Sequence, residues 1–426
     1  MNSTTHDTHE FAAYIGLDWA DQKHDISLQA ADSTQIESFQ LDHRPETLSD
    51  WVAQLRQRFQ GRPVALALEQ KRGALLYALL PYDFLVLYPV HPKSLARYRE
   101  VFAPSGAKDD PVDAALLREL VQQHRAKLRP WRPDDPLTRE LSLLVEQRRR
   151  LVDERTRLTN RLTALLKQYF PQALAWAGAL DTAVALDFLA RWPQLEDLQR
   201  ATPSELQEFY RAHGCRLGDK LPQRLAAISA AQPLTTDAAV KRACAGMVQA
   251  LLEPLRGLLS GLATLEQQIA EGFAQHPDQA IFSSLPGAGA VLAPRLLVAC
   301  GADRTRYQSA AELQCFSGIA PVTKRSGKTH FVQRRLACPK FVRQSFHEFA
   351  QSSTHWSSWA RAYYEQQRQR GKKHHAALRA LAYKWQRIIF HCWQTRVPYD
   401  EATYVKALAR RGSPLVQFIA PAEAQA

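Results

Sequence analysis

The chain has 426 residues, 46% hydrophobic and 23% charged, which allows roughly two to three domains with sizeable cores and excludes disorder throughout. Lys and Arg number 55 against 42 Asp and Glu, a formal +13 that points to a polyanionic partner, nucleic acid ahead of an anionic membrane. The excess is local: residues 321–396 hold 16 Lys and Arg against only Glu348 and Glu365, so the remainder is close to neutral.

In chain order, the N-terminal MNSTTHDTHEF is polar and carries no apolar signal core. Strand and helix signals then alternate from 11 to about 130. YIGLD (14–18) is a short apolar run ending in a carboxylate, and 24–30 and 35–41 read as further strands. Residues 47–59 have helical spacing through Leu48, Trp51, Val52 and Leu55. PVALALE (63–69) is a buried-type strand ending in another carboxylate; 84–88 is a strand, and 92–101 and 111–123 are helices. This alternation predicts a layered α/β domain over 11–130.

A long helix is predicted over 137–170. Leu137, Leu144, Leu151, Leu158 and Leu165 repeat every seven residues, Leu141 and Leu162 share the partner seam, and Arg148 and Arg155 interrupt it. The pattern predicts a coiled-coil arm. Residues 172–240 form an Ala-rich helical insert broken at Pro193, Pro203, Pro222 and Pro233. A second apolar helix, 248–273, can fold back as an antiparallel hairpin, serve dimerisation or join an ordinary bundle, so 137–275 is a helical domain. The basic domain, 280–400 and mainly helical, opens on Leu285-Pro286-Gly287-Ala288-Gly289 and an apolar helix over 291–300. This resembles a helix-hairpin-helix turn, in which glycines let amides at a helix N-terminus approach a phosphate; a plain Gly-rich turn is the alternative. Residues 401–426 are predicted as a tail, disordered after Arg411.

Cys215, Cys244, Cys300, Cys315, Cys338 and Cys392 are scattered without a CxxC pair, so neither a disulfide framework nor a cysteine zinc site is expected. Free thiols fit a reducing cytoplasm. No run approaches about 18 apolar residues, so no membrane span is expected.

Four acids stand out. Asp18 and Glu69 end predicted core strands, where a carboxylate is costly to desolvate unless paired. Asp110 and Asp113, three apart at a helix start, can share one face, although helix capping alone explains one of them. Together they could form an oxygen-rich site for Mg²⁺ or Mn²⁺. Two nucleotide-binding patterns fail. Ser326-Gly327-Lys328-Thr329 ends like a phosphate-binding loop, but Val322 stands where its first glycine belongs. No Gly-rich turn follows Asp18. Ser326 lies in a polar, flexible loop with Lys324, Arg325 and Lys328; its hydroxyl could attack a phosphodiester, or merely donate a hydrogen bond to a phosphate. Aromatics interleave the basic segment. Those after Ala376 are assigned mostly to the core, and earlier ones such as Phe331 and Trp356 are left open as base-stacking candidates. His374 and His375 read as solvated.

These pieces in this order resemble transposases of the insertion sequence 110 family, related to Piv-type DNA invertases. YIGLD, ALALEQKRG and KDDPVDA supply the acids of a DEDD site in a RuvC-like, ribonuclease-H-type domain; SLPGAG, RYQSAAELQCFSGIAP and KRSGK match the transposase domain, with Ser326 as its catalytic serine. Two stretches depart from the family pattern: Gln70-Lys71-Arg72-Gly73 after the strand Glu, and Ala337-Cys338-Pro339-Lys340 after the serine loop. The resemblance implies that Asp18, Glu69, Asp110 and Asp113 bind Mg²⁺ and that Ser326 forms a phosphoserine link to DNA. It implies a composite active site built from different protomers, a homo-oligomer from dimer to tetramer, donor and target DNA, and a structured non-coding guide (bridge) RNA. A bacterial cytoplasmic, nucleoid-associated location follows. Gly287, Gly289, Lys324, Arg325, Lys328, Arg334, Arg335, Lys340, Arg343, Lys372 and Lys373 are the nucleic-acid-binding candidates. Two other classes remain: a RuvC-like structure-specific nuclease using water, and a non-catalytic nucleic-acid-binding protein.

Overall fold

The computed structural model describes residues 11–69, 73–102, 110–215, 220–327 and 329–419. The chain divides into two units, Met1–Pro133 and Asp134–Ala426. The N-terminal unit is mixed α/β and the C-terminal unit mostly helical, as the alternation of signals implies.

The first unit contains β1 (Ala13–Asp18), β2 (Lys23–Ala30), β3 (Ile36–Asp42), α1 (Pro45–Arg58), β4 (Val64–Leu68), α2 (Ala74–Leu79), β5 (Leu85–Pro89), α3 (Pro92–Phe102) and α4 (Asp110–Gln123). The strands form one sheet in the order β3-β2-β1-β4-β5. The first three are antiparallel; β4 and β5 run parallel to β1.

Side-chain alternation gives the sheet two different faces. Ile15, Leu17, Leu66 and Leu68 pack with Trp51, Val52 and Leu55 of α1 and Leu75, Leu76 and Leu79 of α2. The other face is floored by small residues, and there Ala65 and Ala67 meet Leu116, Leu117 and Val121 of α4. Gly16 belongs to this face: a Cβ on it would overlap the carbonyl oxygen of Ala114 and the amide nitrogen of Arg118. Backbone therefore meets backbone, and α4 lies directly on β1. Gly16→Ala is expected to lower the stability of the chain by about 3 kcal/mol, the upper end of overpacking costs, because rigid main chain must move. Urea denaturation reads this; a loss under about 0.5 kcal/mol would contradict the close contact.

The second unit is organised on two long helices, α5 (Pro136–Tyr169) and α11 (Ala238–Gln275). They pair antiparallel: Gly272 meets Leu141, Arg148 binds Glu266 at 2.5 Å, Gly261 meets Leu151, and Cys244 reaches Gln168. The deepest positions of α5 are Leu141, Val145, Leu162, Leu166 and Tyr169. The leucine row at 137, 144, 151, 158 and 165 is half-buried and flanks that seam. The second helix begins ten residues earlier than its leucines suggest and runs through Pro254. Between the long helices in sequence, α6 (Ala173–Trp176), α7 (Ala183–Arg191), α8 (Leu195–Arg200), α9 (Pro203–Ala212) and α10 (Lys220–Ala230) share with them a core around Phe188, Trp192 and Phe209.

The chain ends in α12 (Gln279–Ser283), α13 (Gly289–Cys300), α14 (Ala310–Phe316), the hairpin β6 (Val322–Ser326) and β7 (Thr329–Gln333), α15 (Lys340–Trp356), α16 (Ser358–Gln369), α17 (His374–Thr395) and α18 (Glu401–Arg410). Trp359, Trp385 and Trp393 are fully buried at its centre with Phe346 and Phe349. Tyr383 departs from the core expectation and is 40% exposed. The tail expected from 401 is instead ordered through 419. Asp400 caps α18 by accepting from the Thr403 amide, Glu401 accepts from Tyr399 and Ser357, and Leu408 and Leu415 are buried. Residues 420–426 lie outside the described residues. No described helix is long and apolar enough to cross a membrane.

Candidate active site and nucleic-acid interface

Strand register brings two of the acids together. Leu17 pairs with Leu68 across parallel β1 and β4, so the next residues, Asp18 and Glu69, leave the same edge of the sheet on adjacent strands. Alternation from Gly16 and Ala67 turns both toward the face that carries α4. Asp113, beside the Ala114 that touches Gly16, is completely buried there, and Asp18 is 9% exposed. Asp110 begins α4; its side chain lies outside the described residues, as do Gln70, Lys71, Arg72 and Lys328.

A fourth participant has no motif. Arg99 of α3 donates from Nε to Asp113 Oδ1 at 2.7 Å and from a terminal nitrogen to Oδ2. That hydrogen-bonded carboxylate raises the guanidinium above its usual range, with smaller contributions from Glu69 and Asp18. All three acids thus act on one cation. In the sequence Arg99 is one of several cations of its helix, and only the fold singles it out. Arg118, also unforeseen, is buried five residues beyond Asp113 and donates to Ser27, Gln29 and Gln122; burial lowers its pKa.

Among the described residues no three His, Cys, Asp or Glu side chains stand as a ready metal-binding set. Both oxygens of Asp113 face Arg99. In chemical type the donor set suits a hard divalent cation, being carboxylates that leave the same end of the sheet and the helix lying on it.

Ser326 is not in a flexible loop. It is the last residue of β6, exposed and paired with Thr329 across an antiparallel hairpin. The two-residue turn requires positive φ, and Gly327 supplies it at 54° with open space about it. Lys324 and Phe331 share the face of Ser326, whereas Arg325 and His330 share the other. The hairpin base is tied down by Arg335, which donates to the Ala320 carbonyl at 3.4 Å.

The two glycines of the Gly-rich turn differ. Gly287 has φ 79°, accepts from Ser352 Oγ at 2.7 Å, and leaves no room for a Cβ, which would lie 2.8 Å from Trp356. Its conformation therefore serves close packing on α15. Gly289 opens α13 with nothing near it. Trp356 is 73% exposed beside this turn, and Phe331 is 57% exposed on the hairpin.

Lys324, Arg325, Arg334, Lys340, Lys372 and Lys373 are exposed, and Arg335 and Arg343 are half-buried. Arg343 and Arg335 spend donors on the Arg335 and Ala320 carbonyls. Burial, then repulsion from Arg334 and Arg343, lowers Arg379 on α17. Of the two acids in 321–396, Glu348 is held by Arg295 at 2.6 Å. Duplex affinity is therefore expected to fall with salt, with a slope of roughly −0.9 per phosphate neutralised. Salt-independent binding would remove this segment as the interface.

Comparison with known proteins gives two family matches. Residues 15–171 match a family described as "Transposase", the DEDD transposase of IS110, and residues 279–365 match "Transposase IS116/IS110/IS902 family". A Streptomyces coelicolor protein named "Mini-circle putative transposase for IS117" is 28% identical over 96% of this chain and 98% of its own length. "Insertion element IS110 uncharacterized 43.6 kDa protein", also of S. coelicolor, is 30% identical over 66% of this chain and 69% of its own length. "Insertion element IS900 uncharacterized 42 kDa protein" of Mycobacterium paratuberculosis is 25% identical over 92% and 98% respectively.

Proposed function

The chain belongs to the IS110 family of transposases, and from that premise we propose that it cuts and rejoins DNA through a phosphoserine intermediate on Ser326. The acids of its first unit form the divalent-metal site. The observation that most supports this reading is the convergence of Asp18, Glu69 and Asp113 on one edge of the β1–β4 pair, held there by α4 lying on Gly16. A mixed sheet of this order with acids ending β1 and β4 supports the RuvC-like, ribonuclease-H-type assignment.

In this reading Asp18, Glu69, Asp110 and Asp113 hold Mg²⁺ or Mn²⁺, which supplies Lewis-acid polarisation of the scissile phosphate. Ser326, projecting from a hairpin edge, places its hydroxyl against the phosphorus. One P–O bond of the DNA is exchanged for a serine Oγ–P bond and a deoxyribose hydroxyl is released. A hydroxyl from another strand reverses the exchange, so the bond energy is conserved and no ATP is needed. Lys324, on the serine's own face, is the cation of the ladder that serves to offset charge on the phosphorane. The paired α5 and α11 helices serve as the coiled-coil arm for a dimer or tetramer, with metal and serine sites drawn from different protomers. The basic surface of 321–396 receives donor and target DNA and the structured guide RNA that selects them.

The test is reconstitution. The chain, Mg²⁺, labelled DNA carrying the element ends and target, and RNA transcribed from the flanking non-coding segment should together yield joined DNA. Binding with no Mg²⁺-dependent strand chemistry under these conditions would leave only a nucleic-acid-binding protein.

A further inference from the structure

We propose that Arg99 is the resident counter-ion of Asp113 in the acid cluster: it holds that carboxylate in the metal-free chain and gives it up when a divalent cation binds. The inference rests on the reading that these acids bind metal. Asp113 is 0% exposed, and a buried carboxylate without a partner is strongly unfavourable. Arg99 is that partner, and its fork takes both carboxylate oxygens. Each oxygen of Asp113 is then engaged by a guanidinium N–H, so a metal ion that takes this carboxylate competes with Arg99.

Charge points the same way. Asp18 and Glu69, as well as Asp113, act on Arg99. A divalent ion entering beside an undisplaced guanidinium would meet like charge. A divalent ion replacing it meets three carboxylates. Arg99 is also placed to leave. Its side chain is 15% exposed, at the margin of the cluster, whereas Asp113 is fixed on the helix that covers Gly16. Within α3 Leu95 is completely buried, while Lys93, Ser94, Arg97, Glu100 and Val101 are exposed. Rotation of one long side chain therefore frees the carboxylate without disturbing α4 or the sheet.

The experiment is calorimetric titration of the full chain with Mn²⁺, comparing wild type, Arg99→Gln and Arg99→Lys at one pH and ionic strength. Arg99→Gln should bind Mn²⁺ about tenfold more tightly than wild type, with Arg99→Lys between them because it keeps the charge and loses the fork. Metal-free Arg99→Gln should melt below wild type and gain more from saturating Mn²⁺. Equal or weaker affinity in Arg99→Gln overturns the counter-ion role while leaving the metal site standing. No Mn²⁺ uptake at millimolar concentration by any of the three overturns the metal reading, and this proposal with it. Should Arg99→Gln not fold, Arg99→Lys carries the comparison, and an affinity no higher than wild type decides against the proposal.

Discussion

Asp18→Asn is expected to abolish strand exchange while the chain stays folded and still binds DNA. The substitution keeps the volume and one carbonyl oxygen and removes one charge at the end of β1. If Asp18 is a direct ligand, its loss should exceed the 10- to 100-fold penalty typical of outer-shell partners. Asp113→Asn should be as inactive but should differ in stability. Asp113 is paired with Arg99 inside the fold, and breaking a buried pair by removing one partner costs about 3–5 kcal/mol. The sequence alone suggests the opposite sign, because thinning a like-charge cluster relieves repulsion; the guanidinium reverses it for Asp113. Joined product from labelled DNA, with thermal melts of both variants, checks the pair. Retained recombination by Asp18→Asn at physiological Mg²⁺ would end the metal-site assignment.

What could be read from the sequence was what burial writes into it. Strands β1, β4 and β5 of the first unit are short apolar runs, and the first two stop abruptly at an acid, so both elements and candidate acids were visible. Arg99 was not, since nothing local marks one cation of a solvated helix as the partner of a residue 14 positions on. Residues 323–328 read as a loop from sequence because 323–326, the end of β6, are exposed on both faces and show no apolar alternation. The leucine row of α5 stands out in the sequence by its seven-residue spacing. The deepest seam includes Val145 and Tyr169, residues that a leucine pattern skips. The order of 401–419 leaves little trace in the sequence because only two widely spaced leucines, Leu408 and Leu415, are buried there.

Ser326→Ala is expected to eliminate covalent chemistry at almost no structural cost. The side chain is exposed at a strand end, so stability should change within about ±0.5 kcal/mol. The chemical loss should be complete, because without the hydroxyl there is no phosphoserine and therefore no strand to rejoin. A serine hydroxyl is a weak nucleophile at its ordinary pKa and needs help. Within the hairpin, Thr329 faces Ser326 directly and Lys324 shares its face; His330 sits opposite Arg325 on the other face. A neighbouring imidazole base is thus not offered by the ladder, and charge stabilisation by Lys324 together with the metal site is the expected source of activation. Lys324→Ala should consequently slow adduct formation more than Arg325→Ala, whose side chain points away. The measurement is a denaturing gel with labelled DNA: wild type should give a protein-linked band that Ser326→Ala lacks, and Asp113→Asn should lack it too if acids and serine act on one phosphate. Ends released equally well by Ser326→Ala, with no protein attached, would mean that water is the nucleophile and that the serine only contacts the backbone, making the protein a RuvC-like nuclease in mechanism.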